Sequence, residues 1–340
     1  MASPLPKTMR TILQTDKNSS KLTMKEVPLP TPTHPNDVLV KVAATSPCLG
    51  ELWWARDFPD SVPVGKEPVP GQDLAGTVVA APEGSAFKPG DEVFARIDAS
   101  RPGAGREYAL ARESELALRP KSLDWAQTTA TPLSALTAWQ IVFVQGTLEA
   151  AGVFGDKEAR KRNGEKRVLI TGAGGSVGGF AVQFAAAAGA GAVVAVNSGS
   201  KAEFVKSLGA TEVVDYTKVT VDAWAAEDPA SREVDLIADC IGGSTMKNLW
   251  AALKDGGSFI SIAMPPDMVK PEGYGKTPAK SVFFIVTSLG SQLAEISKLI
   301  DAGGIKPLVD SVFEFEQFQE AFDKVESRKT AGKVIIKVSV

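Results

Sequence analysis

The first third of the chain alternates polar and β-branched residues over short runs that glycine and proline interrupt. The run Asp37–Ala43 has this alternation, and similar runs follow at 75–80, 91–96 and 107–111. A period of two predicts half-buried strands, and turns such as Lys88–Asp91 separate them. Several short strands divided in this way predict a compact, barrel-like β-domain.

The hydrophobic pattern changes after Pro132. An apolar helix is predicted over 133–144, and the charged segment 156–167 that follows interleaves acids with bases, which favours a solvated loop. Strands are then predicted at 168–171, 192–196, 212–215, 234–239, 258–262, 282–286 and 332–338, with helices at 177–188, 201–208 and 292–300. The nearly continuous apolar strands indicate a parallel sheet covered on both faces, as in a doubly wound α/β domain.

Composition narrows the class of protein. A length of 340 residues favours two domains, and 44% hydrophobic with 23% charged residues is typical of a globular protein. The net charge of -3 lacks the basic excess of a nucleic-acid binder. Cys48 and Cys240 are too few for a disulfide framework or a four-cysteine zinc site. The single histidine, His34, lies in a proline-broken turn and leaves no partner for a histidine pair.

The chain shows no targeting or membrane pattern strong enough to change this picture. Its apolar runs fall short of the ~20 residues of a membrane span. The N-terminus lacks the apolar core of a secretory signal. Lys7 and Arg10 precede any acid, as in a transit peptide, but a strand is predicted from Arg10 onward. We therefore expect a cytosolic protein that is neither membrane-bound nor associated with nucleic acid.

The strongest local signal is a glycine-rich turn between the strand at 168–171 and the helix at 177–188. Glycine allows a tight turn and a close approach to a pyrophosphate, and a helix N-terminus offers free N–H groups and a positive dipole end. The spacing is one residue longer than G-x-G-x-x-G, so the strand–turn–helix context carries the prediction. We expect the phosphate-binding turn to consist of Gly172, Gly174, Gly175, Ser176, Val177 and Gly178.

The end of the next predicted strand bears on the choice of cofactor. An NAD enzyme usually carries an acid there for the ribose hydroxyls. This chain has Asn197, Ser198 and then Lys201, with no acid before Glu203. A 2′-phosphate is attracted by this arrangement, so NADPH is the expected cofactor. The alternative for Lys201 is an ordinary solvated lysine in a first helical turn.

Several motifs in a fixed order resemble the medium-chain dehydrogenase/reductase superfamily, and in particular its zinc-independent quinone-oxidoreductase-like and enoyl-reductase-like branch. The resemblance covers nearly the whole chain. The motifs are Pro-Gly-Gln-Asp-Leu-Ala-Gly-Thr-Val at 70–78, Phe-Lys-Pro-Gly-Asp-Glu-Val at 87–93, the hinge-like 131–139, the glycine turn at 172–178, and segments 208–216, 239–243 and 327–334.

This resemblance implies an α/β fold with a GroES-like β-barrel domain at 1–133 and 291–340 and a Rossmann domain at 134–290. It implies that cofactor and substrate meet between the domains, and a homodimer is a further implication. Cofactor contacts beyond the glycine turn are implied for Thr137, Asn197, Ser198, Lys201, Tyr216, Gly242, Phe284 and Lys333.

The zinc-ligand positions of the zinc-dependent relatives are altered in this sequence. Cys48 falls at the first position, but Gln72 and Ser134 replace the other two ligands. Neutral amide and hydroxyl groups are poor zinc ligands beside imidazole and thiolate. We expect no catalytic metal, although Glu51 or Asp73 could complete an unusual site.

Without a Lewis acid, the sequence favours acceptors that are already activated. An α,β-unsaturated carbonyl or a quinone accepts hydride more readily than a simple ketone does. The candidate catalytic residues are Cys48, Glu51 and Tyr274; the structural alternatives are a small hydrophobic residue for Cys48 and a surface-loop tyrosine for Tyr274. Two other functions stay open: an alcohol dehydrogenase with an atypical metal site, and a non-catalytic NADPH-binding regulatory protein.

Overall fold

The structure, a computed structural model, describes residues 5–339 and divides into two compact units. The first unit takes the chain up to Leu136, the segment Thr287–Gly303 and the chain from Pro307 onward. The second unit comprises Thr137–Val286 and Gly304–Lys306. The boundaries expected from the sequence lay after 133 and after 290.

The strands are short and glycine or proline separates many of them, as the alternating pattern predicts. They are β1 (Thr8–Leu13), β2 (Thr23–Pro28), β3 (Asp37–Ser46), β4 (Asp73–Ala80), β5 (Glu92–Arg96), β6 (Tyr108–Arg112), β7 (Leu116–Leu118), β8 (Arg167–Thr171), β9 (Ala192–Asn197), β10 (Glu212–Asp215), β11 (Val234–Asp239), β12 (Leu253–Ser261), β13 (Lys280–Phe283), β14 (Val309–Phe313) and β15 (Lys333–Lys337).

Helices connect the strands of the second unit and flank the sheet of the first. They are α1 (Trp54–Asp57), α2 (Trp125–Thr129), α3 (Pro132–Trp139), α4 (Lys157–Asn163), α5 (Ser176–Ala187), α6 (Ala202–Ser207), α7 (Val221–Glu227), α8 (Pro229–Arg232), α9 (Met246–Leu249), α10 (Gly290–Asp301) and α11 (Phe318–Glu326). Short 3₁₀ turns occur at Glu51–Trp53, Pro59–Ser61, Glu113–Glu115, Ala150–Phe154, Gly199–Lys201, Trp250–Ala252, Pro266–Val269 and Phe315–Gln317, and Gln140–Val144 continues α3 as a π-helical turn.

The first unit is built on a seven-stranded sheet in the order β14-β15-β3-β4-β5-β7, with β6 also paired to β3. Strand β3 is buried at every position except Lys41, because it pairs with β4, β6 and β15. Its inward residues Val38, Val40 and Val42 pack in one cluster with Phe322 of α11. This is the GroES-like β-domain that the sequence predicts.

The second unit contains a six-stranded parallel sheet in the order β10-β9-β8-β11-β12-β13. Strands β9 and β11 are buried along their whole length, as expected of a sheet covered on both faces. The chain leaves β8 for β9 on one side and later returns to β11 on the other. The carboxyl edge beside β8 is therefore the topological switch point, where a Rossmann fold binds its ligand. The predicted doubly wound domain is confirmed.

Two local predictions were wrong. Part of the charged segment 156–167 is helix α4, which Asp156 begins by accepting a hydrogen bond from the N–H of Ala159. A side-chain N-cap and a buried Ala159 stabilise this helix in spite of its charges. The strand expected at 282–286 instead runs over Lys280–Phe283, in parallel register with β12.

No helix within residues 5–339 is both long and apolar enough to cross a bilayer.

Candidate active site

The glycine turn of the second unit joins the buried end of β8 to the N-terminus of α5. Gly172 has a φ of 61°, a left-handed conformation that glycine adopts without strain. A Cβ on Gly178 would lie 2.2 Å from the carbonyl oxygen of Gly172, so a side chain there would displace the backbone of the turn. The N-cap residue Gly175 provides no side-chain cap. The first amides of α5 are therefore available to an anionic ligand.

Asn197, at the end of β9, and Lys201 lie against this turn. The Lys201 Nζ donates to the carbonyl oxygen of Gly174 at 3.4 Å. A Cβ on Gly174 would come within 2.8 Å of Lys201 Cδ and 3.0 Å of Asn197 Nδ2, so glycine keeps this space open. The Asn197 Nδ2 is buried and has no hydrogen-bond partner within residues 5–339. A buried donor in an open cradle at a helix N-terminus fits the phosphate and ribose oxygens of a dinucleotide.

An acid that the sequence interpretation missed also lies at this edge. Asp215 ends β10 and pairs in register with Asn197 of the adjacent strand. Its carboxylate accepts hydrogen bonds from the backbone and hydroxyl of Thr217, at 3.1 and 2.7 Å. The Thr217 hydroxyl, with the amides of Thr217 and Gly199, lowers the pKa of Asp215. The parallel register of β9 and β10, which the strand pattern implies, was the signal that would have found it.

A second acid that the sequence analysis did not identify, Asp239, links the strands at the topological switch point. The buried carboxylate of Asp239 accepts from the hydroxyls of Thr171 and Ser261 at 2.7 and 2.8 Å, so it joins the ends of β8, β11 and β12. It also accepts a hydrogen bond from the N–H of Gly242 at 3.0 Å. Gly242 has a φ of 70°, a left-handed conformation that glycine adopts with little strain. Asp239 thus fixes the turn that places the expected cofactor contact Gly242.

The remaining cofactor candidates of the second unit differ in their surroundings. Tyr216 follows β10 and is 60% exposed. Phe284 follows β13, and its N–H donates to the carbonyl of Ser261 at 3.1 Å. The Ser198 hydroxyl lies 3.0 Å from that of Ser200, and Thr137 is buried in α3. Ser198, Tyr216 and Phe284 therefore follow the carboxyl ends of strands, where the turn lies.

Tyr274 lies at the opposite edge of the parallel sheet. Its ring packs on Trp250 with 5.0 Å between ring centroids. Burial, with Glu233 and Asp255 nearby, raises the pKa of Tyr274 to about 12. Glu233 immediately precedes β11, so the hydroxyl is near the edge where strands begin. This position argues against the catalytic role that we expected for Tyr274.

The first unit contains a buried ion pair between Lys333 and Asp73. The Lys333 Nζ lies 2.8 Å from Asp73 Oδ2 and donates to the carbonyl of Pro47 at 3.2 Å. The other Asp73 oxygen accepts from the N–H of Leu133 at 2.7 Å. Burial alone would lower the pKa of Lys333, but the adjacent Asp73 carboxylate holds that pKa above its ordinary value. Lys333 was expected to contact the cofactor; in the first unit its ammonium is paired with Asp73.

Glu51 is buried beside this pair. Its two carboxyl oxygens accept from the N–H of Gly71 at 2.9 Å and from that of Cys48 at 3.1 Å. Burial raises the pKa of Glu51 to about 7, although these amides and Lys333 lower it in part. Burial likewise raises the pKa of Cys48 to about 12, so the group stays a thiol at neutral pH. At neutral pH Glu51 can therefore hold or release a proton, and Cys48 cannot supply a thiolate.

A small open cleft of about 80 Å³ lies over Glu51 in the first unit. Its walls are largely apolar, and Gln72 and Lys66 add polar groups beside Glu51. The Gln72 Oε1 is buried without a hydrogen-bond partner in the described part of the chain. The apolar residues of the walls are Leu52, Trp54, Ala55, Val62, Pro68, Val69 and Pro70. A small cleft with apolar walls and a few polar groups can take one edge of a mostly apolar molecule that has a polar end.

Comparisons with known proteins identify the family of this chain. Residues 34–121 match the alcohol dehydrogenase GroES-like domain, and residues 208–336 match the zinc-binding dehydrogenase family. A protein of Arthroderma benhamiae, "Probable zinc-binding oxidoreductase, mitochondrial", is 44% identical over 98% of this chain and 98% of its own length. The chain belongs to the medium-chain dehydrogenase/reductase superfamily.

Two further relatives in this superfamily are oxidoreductases as well. The zebrafish (Danio rerio) "NAD(P)H oxidoreductase RTN4IP1, mitochondrial" is 30% identical over 95% of this chain and 89% of its own length. The Arabidopsis thaliana "Chloroplast envelope quinone oxidoreductase homolog" is 31% identical over 92% of each chain. The chain is therefore an oxidoreductase, and the NAD(P)H in the zebrafish protein's name agrees with the dinucleotide fit of the glycine turn.

The catalytic zinc of other superfamily members does not fit the residues of this chain. Cys48 is a thiol whose pKa burial raises, and Gln72 and Ser134 offer only neutral oxygens at the other two positions. The Asp73 carboxylate is neutralised by the Lys333 ammonium at 2.8 Å. Within residues 5–339, His, Cys, Asp and Glu side chains form no group of three that could hold a metal ion.

The expected cytosolic location was wrong. The Arthroderma and zebrafish relatives both carry "mitochondrial" in their names. Lys7 and Arg10 precede the first acid of the chain, as in a transit peptide, but Arg10 lies in β1, which begins at Thr8.

Proposed function

We propose that this oxidoreductase is an NADPH-dependent reductase of α,β-unsaturated carbonyls or quinones that works without a catalytic metal. One observation carries the proposal. Glu51, a buried carboxyl with a pKa of about 7, lines the cleft of a domain whose residues do not fit zinc. A site that can deliver a proton but lacks a Lewis acid suits an acceptor that is already activated.

The proposed cofactor site is the carboxyl edge of the parallel sheet. The amides at the start of α5 would bind the pyrophosphate, with Asn197 and Lys201 at the adenosine end. NADPH, when bound, supplies the hydride. Lys201 favours the 2′-phosphate, and Asp215 opposes it in part, because the Lys218 ammonium 3.6 Å from Asp215 Oδ2 offsets some of its negative charge.

Glu51 is the proposed proton donor. Hydride addition to the β-carbon of an enone moves the electron pair of the double bond toward the carbonyl oxygen and gives an enolate. The O–H bond of protonated Glu51 then breaks as a new C–H or O–H bond forms on this enolate, and the carboxylate that remains regains a proton from solvent in the open cleft. The amides of Gly71 and Cys48 stabilise that carboxylate through hydrogen bonds of 2.9 and 3.1 Å.

The cleft also favours the proposed acceptors over simple alcohols. Oxidising an alcohol needs a group that stabilises an alkoxide, which zinc supplies in metal-dependent members of the superfamily. Here the Lys333 ammonium is already paired with Asp73. The apolar walls suit one edge of a flat conjugated ring or chain, and the unpaired Gln72 Oε1 can accept a hydrogen bond from a hydroxyl at its polar end.

An acceptor panel tests this function. Chelator-treated protein would be mixed with NADPH and, in turn, an enone, a benzoquinone and a simple ketone, and NADPH oxidation followed by absorbance. Primary alcohols would be tested with NADP⁺. We expect oxidation with an enone or a quinone and little reaction with the others.

Two results would contradict the proposal. Faster reaction of primary alcohols, lost on removal of zinc, would indicate an alcohol dehydrogenase with an atypical metal site. Tight NADPH binding with no turnover of any acceptor would indicate a regulatory protein.

A further inference from the structure

Lys66 is the one cation among the described residues that line the cleft over Glu51. Its Nζ donates a hydrogen bond to the carbonyl oxygen of Ala99 at 2.6 Å, which holds the ammonium in the lining. Within residues 5–339 this is the only hydrogen bond of the ammonium, and no carboxylate forms an ion pair with it. Because an ammonium has three N–H donors, two of them stay available.

The surroundings of this ammonium leave its charge partly uncompensated. Burial lowers the pKa of Lys66, and the carboxylates of Glu51 and Asp98 raise it only in part. Asp98 is engaged elsewhere, because it accepts from the Ser100 hydroxyl at 2.7 Å and lies 3.4 Å from Arg96 Nη1. A half-buried cation that contacts only a neutral carbonyl is stabilised when an anion pairs with it.

Glu51 does not compensate the charge of Lys66 by direct contact. Its two oxygens accept from the amides of Gly71 and Cys48, at 2.9 and 3.1 Å. The protonated form of Glu51, which donates the proton in the proposed reaction, is uncharged. In that form Lys66 is the only charged group among the described lining residues, so the cleft attracts an anion in the state in which it can react.

We propose that Lys66 selects acceptors that carry a carboxylate next to the conjugated system, and that it binds this carboxylate as an ion pair. The apolar walls at Leu52 and Trp54 contact the conjugated edge, and the ammonium binds the anionic end. The carboxylate is unchanged in the reaction, because hydride and proton add across the double bond. This inference rests on the proposed reductase function and names the class of acceptor within it.

The test compares a carboxylate with the matching neutral ester. β-Acetylacrylate is an enone that ends in a carboxylate, and its methyl ester lacks the charge. NADPH oxidation by each is followed by absorbance in wild type and in Lys66→Met, and kcat and KM are determined separately. The acid-to-ester ratio of kcat/KM should fall by roughly 10-fold in Lys66→Met, through a higher KM for the acid, because a hydrogen bond to a charged group is lost. Comparing the ratios of the two proteins cancels the difference in chemical reactivity between acid and ester.

Three variants control for charge, position and folding. Lys66→Arg keeps a cation and should retain most of the acid-to-ester ratio. Lys88→Met removes an exposed lysine of the same unit, just before the turn that leads into β5, and should leave the ratio at its wild-type value. Lys66→Gln also removes the charge, so it replaces Lys66→Met if that variant does not fold.

Binding of levulinate, the saturated product of β-acetylacrylate, measures the same contact without turnover. A ligand-observed NMR titration should give a dissociation constant roughly 10-fold lower in wild type than in Lys66→Met. Methyl levulinate, which has no charge to pair with Lys66, should show no such difference.

An equal acid-to-ester ratio, or an equal levulinate affinity, in wild type and Lys66→Met would overturn the inference. The proposed reductase would stand in that case, because both enones would still oxidise NADPH. If no acceptor oxidises NADPH while levulinate binding depends on Lys66, the reductase is rejected and the carboxylate site at Lys66 is kept.

Discussion

The two candidate regions of this oxidoreductase use different groups: mostly backbone in one and side chains in the other. The cofactor edge of the second unit is mostly backbone: a left-handed Gly172, the close approach of Gly178, and the uncapped start of α5. The cluster in the first unit is made of side chains, in which Glu51 and Asp73 meet a lysine from β15. The backbone region follows the pattern of its superfamily, and the side-chain region departs from it.

This difference separates the region proposed to bind the cofactor from the region proposed to carry out the chemistry. A phosphate site made of amides is kept as long as the turn keeps its shape, because any sequence with the required glycines presents the same donors. A catalytic site made of side chains can be rebuilt by a few substitutions on the same backbone. Here Gln72 and Ser134 replace two zinc ligands while the strands around them are retained.

We expect the largest effect when a side chain is added to the cofactor edge that the backbone forms. In Gly178→Ala the new Cβ would lie 2.2 Å from the carbonyl oxygen of Gly172, so the turn must move. We expect NADPH and NADH binding to fall below detection by isothermal titration. The matched control is Gly275→Ala, since Gly275 is exposed and a Cβ there would meet nothing within 4 Å. Unchanged binding in Gly178→Ala would show that the cofactor does not use this turn.

The side-chain region should respond to the loss of one titratable group. Glu51→Gln removes the proposed proton donor. General acid catalysis contributes ~10²–10⁴-fold to the rate, so kcat/KM for an enone should fall by that factor while NADPH affinity changes little. The active form is the protonated acid, and burial raises the pKa of Glu51 from 4.5 to about 7. Wild-type kcat/KM should therefore be highest below pH 7 and fall as the pH rises through about 7.

The pH profile separates this role from a structural one. Glu51→Gln should remove the decline near pH 7, whereas a variant that only loosened the site would lower the whole profile without changing its shape. Glu83→Gln is a suitable control, because Glu83 is exposed and distant in sequence from the cluster. A wild-type profile that is flat from pH 6 to 8 would be evidence against Glu51 as the donor.

A smaller effect is expected at the adenosine end. In Lys201→Ala the 2′-phosphate would lose a charge-assisted hydrogen bond worth ~1.5–3 kcal/mol. The NADPH dissociation constant should rise by roughly 10- to 150-fold while NADH binding hardly changes. Lys206→Ala is the control, since Lys206 pairs with Glu203 at 3.0 Å on the exposed face of α6. Equal weakening of both cofactors, or a wild-type preference for NADH, would mean that Asp215 and not Lys201 governs this end.

The same division explains what the sequence could predict. The glycine turn and the strands around it were found because they are contiguous, and periodicity identifies contiguous elements. Asp215 was missed because its relation to Asn197 exists only in the register of β9 and β10. The pairing of Lys333 with Asp73 spans most of the chain, and no local pattern marks it. The surroundings of Tyr274 could not be predicted for the same reason, because a loop position does not tell which edge of the sheet the side chain reaches.

We expect metal removal to leave the activity unchanged, and this prediction tests the side-chain region most directly. If Gln72 and Ser134 leave the first unit without a zinc site, dialysis against a strong chelator should leave NADPH oxidation by the best acceptor unchanged, and added zinc should not raise it. A zinc-dependent alcohol dehydrogenase treated in parallel should lose its activity, which verifies that the chelator works. Full loss of activity in this chain, restored by one zinc per chain, would mean that Cys48 and its neighbours coordinate metal. Unchanged activity would instead show that a superfamily member can keep the fold of a zinc enzyme and react without the metal, with Gln72 and Ser134 in place of two zinc ligands.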